Sequence, residues 1–314
     1  MTTCIAQHQG NNWTAYNGDS VEMIRAIPEN SIDYIIFSPP FTSLYTYSAS
    51  ERDMGNTRSH HDFWQHYSFL SKELYRVLKP GRLMSVHSML FPLTKQHDGV
   101  IGLYDFRGDI VRLHCDDQFI FHSEVVIWKD PVTAMQRTKS IGLLHKQMVK
   151  DSAISRQGVP DYLSTFRKPG VNEEPIHGRF EEYIGLPETE PVAQDEDRYS
   201  IEVWQRYASP VWMDINPSDT LQYTSCRADE DERHICPLQL QVIKRGIALW
   251  TNEGDTVLTP FGGIGSEAYC AVEMKRKAVL MELKQEYYDQ AVKNLEYIEF
   301  QSAQPTLFDL LAAS

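Results

Sequence analysis

The sequence predicts a doubly wound α/β fold with a mostly parallel sheet. Two observations carry that expectation. Short apolar runs alternate with helical patterns over the first 128 residues and again from residue 237 onward, and strands that alternate with helices make a sheet covered on both faces. Between these stretches the rhythm is lost, which predicts an insert. The composition agrees. A chain of 314 residues, 42% hydrophobic and 23% charged, holds one large α/β domain plus an insert, and is neither disordered nor fibrous. No apolar run reaches the roughly 18–20 residues that cross a bilayer. The start, MTTCIAQHQGNNW, has neither a basic nor an apolar signal region. The five cysteines, Cys4, Cys115, Cys226, Cys236 and Cys270, are odd in number and form no CxxC pair. They suggest no disulfide framework and no cysteine zinc site, and point to a reduced, cytoplasmic setting. No HExxH-type histidine spacing suggests a metal.

The elements follow in order. Residues 33–37, DYIIF, read as a buried strand. Phe63, Trp64, Tyr67, Leu70, Leu74 and Val77 recur with helical period over 61–78, and Pro80-Gly81 is expected to stop that helix. Residues 83–86 read as a strand, 105–115 as a helix and 119–128 as a strand or hairpin. Over 129–232 proline, glycine and charge recur with weak periodicity. Segment 131–170 has seven Lys/Arg against two acids, and 171–200 has nine acids against two arginines, in a chain of net charge −13. A local basic stretch can meet phosphates on an acidic molecule, or be a solvated loop. After Pro237, an amphipathic helix is expected over 238–250, strands over 256–258 and 278–281, and a helix over 286–295.

Two turns carry the chemistry. Ser38-Pro39-Pro40-Phe41 follows the strand DYIIF directly, and in open α/β sheets ligands bind beyond the carboxyl ends of strands. Two prolines fix the turn and remove two N–H donors. A serine and a bare carbonyl then accept from an amino group, and the following ring stacks on a flat heterocycle. The plain alternative is a rigid turn. The second is Phe261-Gly262-Gly263-Ile264-Gly265-Ser266, between a strand and a helix. Its glycines admit a ligand to the backbone and to free N–H groups. Glu282, 17 residues after Gly265, ends the next strand, where a carboxylate accepts ribose hydroxyls. Gly263-x-Gly265-x-x-Ala268 also fits the dinucleotide pattern, so an NAD enzyme is an alternative.

Taken together, the two turns resemble the permuted class of amino-group DNA methyltransferases, which place an S/D-PP-Y/F/W motif first, a target-recognition region next and an FxGxG cofactor motif last. YNGDSVEMIRAIPENSIDYIIFSPPF, ELYRVLKPGRLMSVH, Val211-Trp212-Met213-Asp214-Ile215, His234-Ile235-Cys236-Pro237-Leu238-Gln239 and the stretch from GDTVLTPFGGIG to AVKNL all resemble segments of that class. The likeness covers about residues 14–128 and 203–296. Thr259 departs from it, standing where the family has Asp; Leu-Gln replaces Phe-Pro after Pro237, and Phe41 replaces the commoner Tyr.

The resemblance implies a Rossmann-like methyltransferase sheet: a catalytic half over 1–128, a target-recognition insert over 129–202, a cofactor half over 203–298 and a tail over 299–314. It implies S-adenosylmethionine as methyl donor and double-stranded DNA as substrate, in the setting of DNA modification or restriction-modification. Ser38, Pro39, Pro40 and Phe41 would form the amine pocket. Asp19, Pro237, Thr259, Pro260, Phe261, Gly262, Gly263, Gly265 and Glu282 would hold the cofactor. Arg137, Lys139, Lys146 and Arg156 would meet DNA, with Gln136, His145, Gln147 and Gln157 near them. A serine in the first motif favours N4 of cytosine; N6 of adenine is the alternative, RNA methylation another, and a DNA-binding protein with impaired catalysis, suggested by Thr259, a third. Gln304, Leu307 and Phe308 resemble a sliding-clamp docking peptide, or pack on their own domain.

Overall fold

A computed structural model describes residues 4–40, 54, 60–93, 95–132, 149–150, 158–178, 180, 196–222 and 237–304. Phe41, Arg137, Lys139, Lys146, Arg156, Leu307 and Phe308 lie outside the described residues, as do Gln136, His145, Gln147 and Gln157.

In chain order the strands are β1 (Ala6–Gln9), β2 (Trp13–Asn17), β3 (Ile32–Phe37), β4 (Leu78–Met89), β5 (Phe91–Leu93), β6 (Gly102–Tyr104), β7 (Ile120–Ile127), β8 (Asp161–Arg167), β9 (Val211–Trp212), β10 (Thr256–Thr259) and β11 (Lys277–Glu282). The helices are α1 (Ser20–Met23), α2 (His60–Val77), α3 (Lys95–Asp98), α4 (Phe106–Asp116), α5 (Glu196–Tyr207), α6 (Leu240–Trp250), α7 (Ser266–Glu273) and α8 (Gln285–Ala303). Nine strands form one sheet in the order β1-β2-β11-β10-β3-β4-β8-β7-β9, and β5 pairs with β6 apart from it. From β2 through β4 the neighbours run parallel; β1 and β8 run against theirs.

The side-chain period of two splits each central strand between two cores. Tyr34 and Ile36 of β3 join Val257 and Leu280 under α6, α7 and α8. Ile35 and Phe37 join Leu258 and Met281 under α2 and α4, where Phe63, Tyr67, Leu70 and Leu74 are wholly buried. This is why DYIIF has no polar alternation: both faces of the strand are covered.

At the amino-terminal ends of the strands, Arg82 Nη2 donates to Asp33 Oδ1 at 2.9 Å and to Asp255 Oδ2 at 2.8 Å, and Thr256 N donates to Asp33 Oδ2 at 2.8 Å. The three acids Asp33, Glu174 and Asp255 cluster closely enough to hold a cation, but the Arg82 guanidinium already pairs with all three. This buried network ties β3, β4 and β10 together at one end, and so aligns their carboxyl ends at the other.

α2 ends just ahead of Pro80-Gly81, as the sequence predicts. The helix ends at Val77, and Leu78 enters β4 at once. The pairing of β3 with β4 jumps from Ile32↔Leu78 to Tyr34↔Leu83, so Pro80 and Gly81 sit in a bulge, where a residue without an N–H and a glycine at φ 76° are both tolerated. Residues 120–127 make a single strand, not a hairpin. β8 lies inside 129–202 yet pairs with β4 and β7 in the main sheet, where weak periodicity predicts a module outside it. α8 runs through 299–303, Gln304 is its C-cap, and Glu299 Oε1 accepts from the backbone of Asn11 and Asn12. Among the described residues, no helix is long and apolar enough to cross a membrane.

Candidate active site

The chain runs from β3 to β4 on one side of the sheet and from β10 to β11 on the other. The carboxyl ends of β3 and β10 therefore meet where the winding reverses, the place at which such sheets open a crevice. Val257 pairs with Tyr34 and Leu258 with Ile35, and the rings of Phe37 and Phe261 lie 5.8 Å apart. Each ring stands next to one of the two turns.

At the first turn Pro39 is buried, and Ser38 and Pro40 are half-buried. Ser38 Oγ lies 2.9 Å from His87 Nδ1. His87 Nε2 lies 3.0 Å from Asp161 Oδ2, and Lys129 Nζ is 2.5 Å from the same oxygen. The antiparallel register sets His87 opposite Leu163, so Asp161, two residues from Leu163, lies on the same side of the sheet. Burial alone would push the Asp161 carboxyl up, but the Lys129 and His87 groups beside it hold it below the usual carboxylate range.

At the second turn Gly262 N donates to Met281 O at 2.8 Å, and Gly265 N to Gly262 O at 2.7 Å. A Cβ on Gly262 would stand 2.3 Å from the Leu280 side chain, so packing requires glycine there. Gly263 has φ 52°, and a Cβ on it would meet nothing within 4 Å among the described residues. Gly265, at φ 89°, is the N-cap of α7. Glu282 Oε2 accepts from Gly263 N at 2.7 Å and Oε1 from Lys284 N at 2.8 Å, which fixes the carboxylate against the turn. Thr259 is 1% exposed, and its hydroxyl finds no partner among the described residues.

The other predicted residues are placed around this pair. Asp19 follows β2, the neighbour of β11, and caps α1 by accepting from Val21 N at 2.9 Å. Gly18 N donates to Glu282 O at 3.0 Å, which sets Asp19 beside the Glu282 strand end. Pro260 and Phe261 continue from β10 into the turn. Pro237 stands two residues before Gln239, the N-cap of α6, on the core that backs β3.

Four residues of this region are not legible as site residues in the sequence: His87, Asp161, Lys129 and Glu267. The first three come from separate segments that only the strand register unites. Glu267 sits in the first turn of α7 at 5% exposure. Burial pushes its carboxyl up to about 8; its own backbone amide opposes that, and the Glu282 charge adds to it. A carboxyl whose folded value is raised makes the fold less stable as pH climbs from the unfolded value of about 4.3 to the folded one. Glu267→Gln is therefore expected to raise the melting temperature relative to the parent, by a gap that grows between pH 5 and 8 and then levels. A gap independent of pH in thermal scans would refute this.

The DNA methylase family model, for N6 and N4 methyltransferases, matches residues 32–293. The chain belongs to the N6/N4 DNA methylase family. Its relatives in the family include the type II methyltransferase M.BamHI of Bacillus amyloliquefaciens, 24% identical over 268 residues, which are 85% of this chain and 54% of that protein. This chain thus spans about half the length of that relative. The DNA adenine methyltransferase YhdJ of Escherichia coli K12 is 23% identical over 96% of this chain and 90% of its own. Among solved structures, the cytosine-N4-specific PvuII DNA methyltransferase matches with TM-score 0.61 at 17% identity, covering 94% of this chain and 93% of that one. TTHA0409 of Thermus thermophilus, complexed with S-adenosyl-L-methionine, matches with TM-score 0.61 at 19% identity, covering 90% and 94%. These structures establish the Rossmann-like methyltransferase fold.

Proposed function

We propose that the protein methylates DNA, moving a methyl group from S-adenosyl-L-methionine to the exocyclic amino group of a base turned out of the helix, with N4 of cytosine the favoured target. The meeting of the two turns at the switch between β3 and β10 carries this reading. Family membership and the fold shared with a methyltransferase complexed with that cofactor support it. The residues present fit the cofactor. Gly263 offers bare backbone facing open space, Thr259 a buried hydroxyl with no partner among the described residues, and Glu282 a carboxylate already fixed by two amides.

When bound, the cofactor supplies an electrophilic methyl group on positively charged sulfur. The Glu282 carboxylate, at the end of its strand, accepts ribose hydroxyls. Gly262, Gly263 and Gly265, with Phe261, Pro260 and Thr259, would hold the nucleoside half, with Asp19 and Pro237 beside them. Ser38 Oγ and the Pro39 carbonyl accept the two amine hydrogens and aim the nitrogen lone pair, so positioning supplies much of the rate. Phe41 replaces the stacking that a base loses when it leaves the helix. Arg137, Lys139, Lys146 and Arg156, in the 129–202 segment, meet DNA phosphates. Gln304, Leu307 and Phe308 form a docking peptide for the sliding clamp.

The serine in the first turn and the fold shared with a cytosine-N4-specific enzyme favour cytosine. Adenine is the second reading, because an adenine enzyme matches over nearly its whole length. Incubation with duplex DNA and methyl-labelled cofactor, followed by nucleoside mass spectrometry, is expected to yield N4-methylcytosine. N6-methyladenine would establish the second reading, and label in neither base would overturn the proposal.

A further inference from the structure

The hydrogen bonds around Ser38 define a direction for proton movement. Asp161, held ionised beside Lys129, can only accept, so the proton of a neutral His87 sits on Nε2 and is donated to Asp161 Oδ2 across 3.0 Å. His87 Nδ1 is then a bare acceptor, and the Ser38 hydroxyl donates to it across 2.9 Å. This commits Ser38 Oγ to the role of acceptor toward anything in the crevice. Cytosine and adenine both present an amino donor, so this polarity suits either base. His87 and Asp161 are buried, at 8% and 2% exposure, and Ser38 is half-buried, so the row runs from the sheet interior to the crevice.

We propose that His87, acting through Ser38, receives the proton that the target amine loses, and that Asp161 and Lys129 fix its tautomer for that task. This rests on the methyl-transfer reading above. In the step, the nitrogen–carbon bond forms as the carbon–sulfur bond breaks, and the bonding pair stays on sulfur. The nitrogen, now carrying one proton too many, gives it to Ser38 Oγ as the Ser38 proton passes to His87 Nδ1. The resulting imidazolium lies against the Asp161 carboxylate and later returns its proton to water. His87 is a positioning residue in this scheme, since Ser38 stands between it and the base. Among the described residues, the charged groups facing His87 are Asp161, from β8, and Lys129, from the segment after β7; Ser38, at the end of β3, is its neutral partner.

Single-turnover methylation of duplex DNA, followed from pH 5 to 9, tests the scheme. The parent rate is expected to rise with pH and then to level. His87→Gln keeps an acceptor for the Ser38 hydroxyl but cannot take its proton. It is expected to be at least about tenfold slower at the plateau, the low side of general-base effects, to lose the rise, and to keep the parent affinities for cofactor and DNA. Asp161→Asn, which keeps an acceptor for Nε2–H and removes the charge, is expected to move the rise to lower pH. Nitrogen NMR of the parent is expected to place the neutral His87 proton on Nε2. A His87→Gln profile that matches the parent in rate and pH dependence, or a neutral His87 protonated on Nδ1, would overturn the relay while leaving methyl transfer intact. A parent that labels no DNA base at any pH would instead overturn the reading on which the relay rests.

Discussion

Gly263→Val is expected to abolish binding of S-adenosyl-L-methionine while leaving a folded protein. The position has φ 52°, which a β-branched residue adopts only under strain. That strain costs on the order of 1–3 kcal/mol, a tolerable loss for a chain of this size. Its Cβ, however, would point into space where no described residue lies within 4 Å, and the two further methyls would fill the volume into which a nucleoside must come. Gly262→Ala makes the contrast. There the Cβ would stand 2.3 Å from Leu280, so the fold suffers before the ligand does. Calorimetric titration with cofactor, alongside thermal melting, separates the two. A Gly263→Val protein that binds within about threefold of the parent would remove the glycine turn from the cofactor site. The parent's own titration also decides whether Thr259 has cost the protein its cofactor, as a DNA-binding relative with impaired catalysis would require.

Thr259 and Glu267 bear on that question together. The turn lacks an acid at position 259, and Glu267, held up to about 8 by burial, is largely uncharged at neutral pH. Glu282, held by the amides of Gly263 and Lys284, is the acid built into the turn itself.

What the sequence made legible follows from how local each signal is. DYIIFSPP joins a strand to its turn, and GDTVLTPFGGIGSEAYCAV holds strand, turn and start of helix, so each corner can be read within about twenty residues. That they meet is what the family resemblance implies, since the pairing of β3 with β10 joins residues more than 200 positions apart. Pro80-Gly81 marks the end of α2 correctly but hides the bulge in β4, which only the Ile32 and Tyr34 pairings reveal. β8 is invisible as a sheet member because its pairing with β4 joins residues about eighty positions apart. His87 and Asp161 share that obstacle: a histidine at the end of one strand and an aspartate at the start of another become partners only through the register.

Ser38→Ala is expected to lower turnover by on the order of 10²-fold, comparable to the loss of one fixed polar group at a reacting centre, with cofactor affinity near that of the parent. The two turns are separate in what they bind: Ser38 bonds to His87, while the glycine turn bonds to Glu282. Removing Oγ therefore leaves the Glu282 carboxylate and the glycine backbone untouched. It deletes one of two acceptors for the target amine and cuts His87 off from it. The Pro39 carbonyl remains, so the base still enters, and affinity for DNA should change little. The loss thus falls on kcat rather than on either binding constant, and it should not add to that of His87→Gln, because both changes break the same row of hydrogen bonds. Full activity of Ser38→Ala would mean that the amine is held elsewhere. Losses that multiply in the double variant would mean that His87 acts on something other than Ser38.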